Sequence, residues 1–327
     1  MKQYVDLVSH VLQVGTRKTN RTGVDTISTF GYYYEHDLRD GFPLLTSKAI
    51  SWKNIVIELL WFLSGSDKAE FLRRHGCKFW EPWTDESGTV ANCYGPAWRE
   101  FSTEIGYNDQ IKWVVEELKT KPLSRRMVVS AWSPEVAQKA PLPPCHAMFV
   151  LNVQNEEVFE PTFANSFDEA VAKSKQYNPP SHPHGWLASP LVPSTHSQRV
   201  CLHLTQRSCD IALGIPYNLA SYALLLHLFS RFSGIEPGIF GHTLVDAHIY
   251  TKKPDGSMDE YDHVPGLKEQ ISREPKLLPK LHISDKIKSL EDVEALLDPS
   301  VSTEEIMGLF VLEGYDPHPE IRFKVAV

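Results

Sequence analysis

Pro141-Leu142-Pro143-Pro144-Cys145-His146-Ala147-Met148-Phe149-Val150 is the stretch from which this chain is best read. Its prolines fix the backbone and remove amide donors, so the approach to the cysteine is stiff. The run after the cysteine is rich in residues that favour strands. Cys145 is therefore expected where a rigid loop enters a sheet, a setting that a cysteine merely filling a core does not need. His146 adds a titratable group beside it. Neighbours on a strand point to opposite faces, so the two are not expected to work directly as nucleophile and base. The other cysteines are Cys77, Cys93, Cys201 and Cys209. An odd total without paired spacing reads as reduced thiols in a cytoplasm-like compartment.

Composition sets the frame around this stretch. The chain has 327 residues, 42% of them hydrophobic, with 15 Phe, 12 Tyr and 8 Trp, which is ample for a sizeable core. By length alone, one elaborated domain and two domains are both open. A balance of 33 basic against 41 acidic side chains, net -8, argues against a surface that coats nucleic acid. It leaves room for a small basic pocket around one phosphate. The amino terminus shows no charged-then-apolar leader. The apolar run Tyr222-Ala223-Leu224-Leu225-Leu226 meets His227 and then Arg231, far short of the roughly 18 residues of a membrane span. A soluble cytoplasmic protein is expected. No P-loop, dinucleotide fingerprint, zinc-finger pattern or internal repeat is visible.

Periodicity predicts helices over 3–14, 52–63 and 109–120, and strands over Thr26–Phe30, Met127–Ser130, Val200–Leu204 and Asp246–Tyr250. The last strand would place Asp246, His248 and Tyr250 on one face. Helix 52–63 is apolar on every side except for Glu58. Burying an unpaired charge costs several kcal/mol, roughly, so Glu58 must sit at an edge, be paired, or have a raised pKa in a pocket. The loop Arg17-Lys18-Thr19-Asn20-Arg21-Thr22-Gly23 is either a solvated face or a phosphate clamp. Trp80, Trp83, Tyr94 and Trp98 lie in turn-rich sequence, where they could wall a planar ligand or pin loops to the body. Gly214-Ile215-Pro216-Tyr217-Asn218 reads as a turn before the buried helix Tyr222–Phe232. Residues 155–200 read as an insertion, with a capping box at Ser166-Phe167-Asp168-Glu169. His182 and His184 within it lack the companions of a metal site. Residues 252–266 read as an excursion, and 289–308 as an acidic patch with helical tendency.

Several segments together resemble the thymidylate synthase family. They are Arg21-Thr22-Gly23, Phe42 through Lys48, Glu58 through Leu63, Trp80 through Trp83, Tyr94-Gly95, Ser124-Arg125-Arg126 and Pro144-Cys145-His146. Gln206 through Asp210, Gly214 through Tyr222, Asp246 through Tyr250, Ser272 through Pro275 and Gly314 through Pro319 complete the set. They occur in the family's order over nearly the whole chain. The resemblance implies a single catalytic domain over 1–327 of the α/β (α+β) class. Its large twisted mixed β-sheet would be flanked by helices and paired sheet-to-sheet in a homodimer, with the insertions at about 155–200 and 252–266 and an extended segment at about 284–308.

For the site, the resemblance implies that Cys145 adds to C6 of dUMP, which makes C5 nucleophilic, and that a nearby arginine favours its thiolate. Arg21, Arg207 and Ser208 would hold the phosphate from one subunit, and Arg125 and Arg126 from the other. Asn218 would read the pyrimidine edge, and His248 and Tyr250 the sugar 3′-hydroxyl. The one-carbon donor would be 5,10-methylenetetrahydrofolate, with no metal. Trp80, Trp83, Asp210, Gly214 and Tyr217 would meet the folate, Lys48 would lie near its glutamate tail, and Val327 would close over it. Glu58, with Tyr94 and His146, would manage proton transfers through ordered water. No membrane and no nucleic acid would be needed for catalysis.

Three positions depart from the family pattern. Ala49 and Ser51 stand where basic or imidazole side chains are usual, and Val245 where glycine is usual, so a small backbone change is expected there. Two rival readings remain at this point. One is a dUMP 5-hydroxymethylase, in which water captures the methylene and leaves tetrahydrofolate; Asn218 favours uracil over cytosine in either case. The other is an idle nucleotide- or RNA-binding regulator on the same fold, against which the intact set Cys145, Glu58, Asn218 and Asp210 speaks.

Overall fold

The computed structural model describes residues 1–104, 106–137, 142–161 and 191–326. Helix α1 (Lys2–Val14) buries Tyr4, Leu7, Val8 and Val11 along one stripe, as a period near 3.6 dictates. A short strand β1 (Thr16–Lys18) turns back into β2 (Asp25–Asp37). Helix α2 (Trp52–Leu63) starts on Ser51, whose side chain accepts from Asn54 N, and nearly all of its apolar residues are buried. Helix α3 (Tyr94–Arg99) is short, and α4 (Gln110–Thr120) is capped by Asp109 accepting from Lys112 N. Then come β3 (Val128–Ser130), β4 (His146–Pro161), β5 (Leu191–Gln206) and the two-residue β6 (Cys209–Asp210). The long helix α5 (Gly214–Ser233), β7 (Glu236–Thr251) and helix α6 (Val264–Ser272) follow.

The strands form one mixed sheet in the order β1-β2-β7-β5-β4-β3, with β6 beside β7. Pairing is antiparallel except for β5 with β7 and β6 with β7. Parallel neighbours need a crossover, and α5 supplies it. Side chains alternate across the pleat. One face carries Phe149, Leu151 and Val153 of β4, Leu202 and Leu204 of β5, and Phe240 and Leu244 of β7, all buried with Leu225, Leu228 and Phe229 of α5 in the same core. The other face presents Tyr33, Val128 and Met148, each exposed in the single chain.

The helices predicted over 3–14, 52–63 and 109–120 match within a residue or two, whereas the one predicted over Tyr222–Phe232 begins at Gly214. The strands are longer than predicted except Met127–Ser130, which forms over Val128–Ser130. The β2 strand continues past Phe30 because β7 pairs with it as far as Asp37↔Ile239. The segment Gly214–Asn218 is a correction. It forms the first turn of α5 and not a preceding turn, because proline is tolerated where a helix has no amide bond to lose. Of the stretch read as an insertion, 155–161 and 191–200 are strand residues paired through Pro161↔Leu191. The capping box at Ser166 through Glu169, His182 and His184 lie outside the described residues. The excursion after β7 ends at 263, where α6 begins. The acidic segment contains helices Leu290–Ala295 and Thr303–Leu309, each opened by a serine capping box. Val245 lies in β7 without a positive φ. Facing it, between the Phe30↔Asp246 and Tyr32↔Leu244 pairs, is Gly31 at φ 72°, a conformation glycine adopts without steric cost.

Because Leu225 is fully buried at the centre of α5, Leu225→Ala is expected to destabilise the protein by about 2–5 kcal/mol. Urea unfolding checks this; a loss below about 1 kcal/mol would contradict the packing described.

Candidate active site

The proline-stiffened loop delivers Cys145 immediately before β4, and two groups hold it there. The Tyr94 hydroxyl accepts from the backbone N–H of Cys145 at 3.0 Å and of His146 at 3.2 Å. From the other side, Arg207 donates Nε to Pro144 O at 2.9 Å and Nη2 to Pro143 O at 2.6 Å. The same Nη2 lies 3.9 Å from Cys145 Sγ. The loop is thus fixed through its carbonyls and the first amides of the strand, where its prolines offer no donors. Burial pushes the Cys145 thiol up from its usual pKa, and the Arg207 and Arg21 guanidiniums pull it down without cancelling that effect. The expectation that nearby arginine favours the thiolate therefore holds in direction only. Desolvation outweighs the guanidiniums.

Around the cysteine lies an aromatic wall. The Tyr94 ring stacks on His146 at 4.6 Å and 19°, and Trp80 lies edge-on to Tyr94 at 6.0 Å. Of the four aromatics expected in loops, Tyr94 and Trp98 instead lie in helix α3 as buried pins, while Trp80 and Trp83 stay partly exposed. Trp80 donates its indole N–H to Glu58 Oε1 at 2.8 Å. Glu58 keeps some accessible surface, yet burial of its carboxyl raises its pKa to about 7, opposed by the Trp80 bond. Glu58 is thus both paired, through the Trp80 indole, and raised in pKa by burial. His146 is held down to about 4 by burial, with the Asn218 side chain opposing. Its Nδ1 is buried without a protein partner.

Asn218 faces this cluster from α5 with its amide orientation fixed. Its Oδ1 accepts from Gln206 Nε2 at 3.1 Å, and Gln206 Oε1 bonds His242 Nε2 at 3.0 Å. His242 Nδ1 in turn meets the Tyr34 hydroxyl at 2.7 Å. This buried relay leaves the Asn218 amide N–H groups as donors. Gln206, His242 and Tyr34 were not singled out from the sequence. Gln206 stood beside Arg207, but nothing in the spacing linked it to Tyr34, 172 positions earlier by their numbers in the chain. Gly214 gives the amide room, since a Cβ there would lie 3.3 Å from Asn218 Oδ1.

Asp210 uses Oδ1 to accept from Ala212 N and Leu213 N at 2.9 and 3.1 Å. Tyr217 packs edge-on against Phe79 at 4.9 Å. Lys48 is buried, donates Nζ to Ala212 O at 2.7 Å, and has its pKa lowered to about 8 by desolvation. His248 and Tyr250 share a face of β7, with rings 5.3 Å apart, and His248 Nδ1 bonds Asp246 O at 3.1 Å. The Arg21 loop is shaped by Asn20, which accepts from Thr22 N and donates to Val24 O. Lys18 ties it to Asp246 at 2.8 Å.

Ser208 lies partly buried next to Arg207. Arg125 and Arg126 are exposed, and the positive charges acting on Cys145 are those of Arg207 and Arg21. Ala49 is exposed, and Ser51 caps α2. Val327 lies outside the described residues. Among the described residues no cluster of three His, Cys, Asp or Glu could hold a metal, and no helix is long and apolar enough to cross a membrane.

The raised pKa of Glu58 carries a sign for stability. The folded state holds this proton more tightly than the unfolded chain, so the contribution is full below about pH 4.5 and is lost as pH rises through about 7. Relative to Glu58→Gln, the wild type should lose up to about 3 kcal/mol across that window. Urea midpoints of both proteins at pH 5 and pH 8 measure it; a difference that does not change with pH would contradict the buried-carboxyl geometry.

A family model described as thymidylate synthase matches residues 2–327.

Proposed function

Because this chain belongs to the thymidylate synthase family, and its main reaction is the methylation of dUMP to dTMP, we propose that Cys145 is the nucleophile of that methyl transfer. The observation that carries this is the doubly braced loop, with Tyr94 on its amides and Arg207 on its carbonyls. Addition of the thiolate to C6 of the pyrimidine makes C5 nucleophilic. A phosphate brought among Arg21, Arg207 and Ser208 meets directional, charge-assisted donors. Asn218, oriented by Gln206, presents donors to the base. His248 and Tyr250 hold the sugar 3′-hydroxyl.

The chemistry is folate-dependent, and the residues fit a planar donor. Trp80 and Trp83 offer partly exposed rings, and Asp210 stands at the start of α5 beside Gly214 and Tyr217. Asn54 Oδ1, one turn before Glu58 on α2, and His146 Nδ1 are buried polar atoms without protein partners, suited to ligand or ordered water. The donor 5,10-methylenetetrahydrofolate supplies the carbon and then the hydride, giving dihydrofolate. Glu58, with Tyr94 and His146, takes part in moving the C5 proton; a carboxyl near pH 7 can both accept and return one. Lys48 supports the folate side.

The whole chain acts as one catalytic domain, in our reading, and works as a homodimer. The open face bearing Tyr33, Val128 and Met148 is the surface for sheet-to-sheet pairing, since exposed apolar area of this kind favours association. Pairing would bring Arg125 and Arg126 to the partner's phosphate.

With 5-tritiated dUMP and the reduced folate, the intact chain is expected to release tritium and form dTMP. Cys145→Ser should lower release by at least about 10³-fold, or about 4 kcal/mol of barrier. Equal release from both proteins would overturn the assignment. Mass analysis showing 5-hydroxymethyl-dUMP in place of dTMP would mean that water captures the methylene.

A further inference from the structure

The last described stretch, 315–326, is neither helix nor strand, yet it is pinned at several points. Near its start His318 N donates to Thr46 O at 2.8 Å, and Arg273 Nη1 donates to Pro319 O at 2.7 Å. Further along, His263 Nε2 donates to Lys324 O at 2.9 Å. Between these ties, Phe323 enters a three-sided seat. Lys48 Nζ lies 4.6 Å from its ring centre, and the His263 ring lies 4.9 Å away. The third side is bare backbone of α6 at Gly266. A Cβ there would fall 2.6 Å from Phe323 Cε1 and 3.1 Å from Ile321 Cγ2. The glycine is needed for space, since a real Cβ does not approach another atom that closely.

The seat is joined to both sides of the cleft. Lys48 also donates to Ala212 O, and Ala212 N donates to Asp210 Oδ1. His263 N donates to Tyr250 O at 3.0 Å, and the two rings lie 5.6 Å apart. His263 is buried, with Nδ1 unpartnered, so its ring is held by the strap carbonyl on one nitrogen and by packing elsewhere. One aromatic side chain therefore touches the groups that fix Asp210 and those that fix Tyr250.

We propose that Phe323 is a positioning residue for the methyl transfer: seated over Gly266 between Lys48 and His263, it holds the carboxy-terminal strap in place before ligands bind and couples it to Asp210 and Tyr250. This rests on the functional reading above, with Asp210 on the folate side and Tyr250 on the sugar side. Phe323 itself touches no reacting atom. It sets where the strap lies, and the strap sets how well the folate is held and water excluded.

Three variants test it: Phe323→Ala, Gly266→Ala, which leaves the phenyl ring but fills its seat, and Phe323→Leu as the conservative control. In the unliganded protein, trypsin cleavage after Arg322 and Lys324, followed by mass spectrometry, reports strap release without any chemistry. Cleavage is expected to be about tenfold faster in Phe323→Ala and Gly266→Ala, a change of order 1.4 kcal/mol, and near wild type in Phe323→Leu. In turnover, the first two variants should raise KM for the folate about tenfold and leave KM for dUMP within about twofold. They should also release more tritium from 5-tritiated dUMP than they form dTMP. Loss of stability alone would lower active enzyme without moving that ratio. Unchanged cleavage in both variants would overturn the seat. Faster cleavage with both KM values and the ratio unmoved would overturn the coupling. Failure of the functional reading shows separately, as a wild type that releases no tritium.

Discussion

One phenolic oxygen fixes the point on which the site is built. Tyr94 OH accepts the amides of both Cys145 and His146, at the junction where a loop poor in donors becomes a central strand. The tyrosine is held by packing, its ring buried among Phe62, Trp98 and His146. A hydrogen bond to a rigid, desolvated group transmits position well, since neither partner can relax without leaving a buried polar atom unsatisfied. Arg207 completes the brace from β5's end. Move Tyr94, and the thiol, the imidazole and the start of β4 all lose their reference.

The electrostatics around that point pull in opposite directions. Burial raises the pKa of both Glu58 and Cys145, and lowers those of His146 and Lys48. Each shift disfavours charge, as a desolvated cleft requires. The cationic side chains are then the counterweight. Arg207 is partly buried and Arg21 exposed, and both lower the Cys145 pKa without overcoming desolvation. A net charge of -8 on the whole chain is no obstacle to an anionic substrate, because the balance is decided locally, within a Debye length of a few guanidinium groups.

How much of this was legible in the sequence follows from the range of the interactions. Helix α2 and the placement of Glu58 could be read from one apolar run interrupted by one carboxylate, a signal contained in a dozen residues. The loop-to-strand setting of Cys145 was legible for the same reason. Gly214–Asn218 reads as a turn because of its glycine and proline, although both are harmless in the first turn of a helix. The relay Tyr34–His242–Gln206–Asn218 was invisible. It crosses three strands and a helix, and its members are ordinary strand residues until β2, β7 and β5 lie side by side. The Phe323 seat was hidden likewise, since a glycine at 266 gains its meaning only from a side chain that packs on it from far along the chain.

In the proposed reaction the thiol of Cys145 attacks the pyrimidine and must later be released. Release follows loss of the C5 proton, so a nucleotide bearing fluorine at C5 should strand the adduct. The direct measurement is mass spectrometry of the protein after incubation with 5-fluoro-dUMP and the reduced folate, with peptide mapping of the thiols. One stable adduct carrying nucleotide and folate is expected, on the peptide containing Cys145. No adduct, or the label on Cys77, Cys93, Cys201 or Cys209, would contradict it.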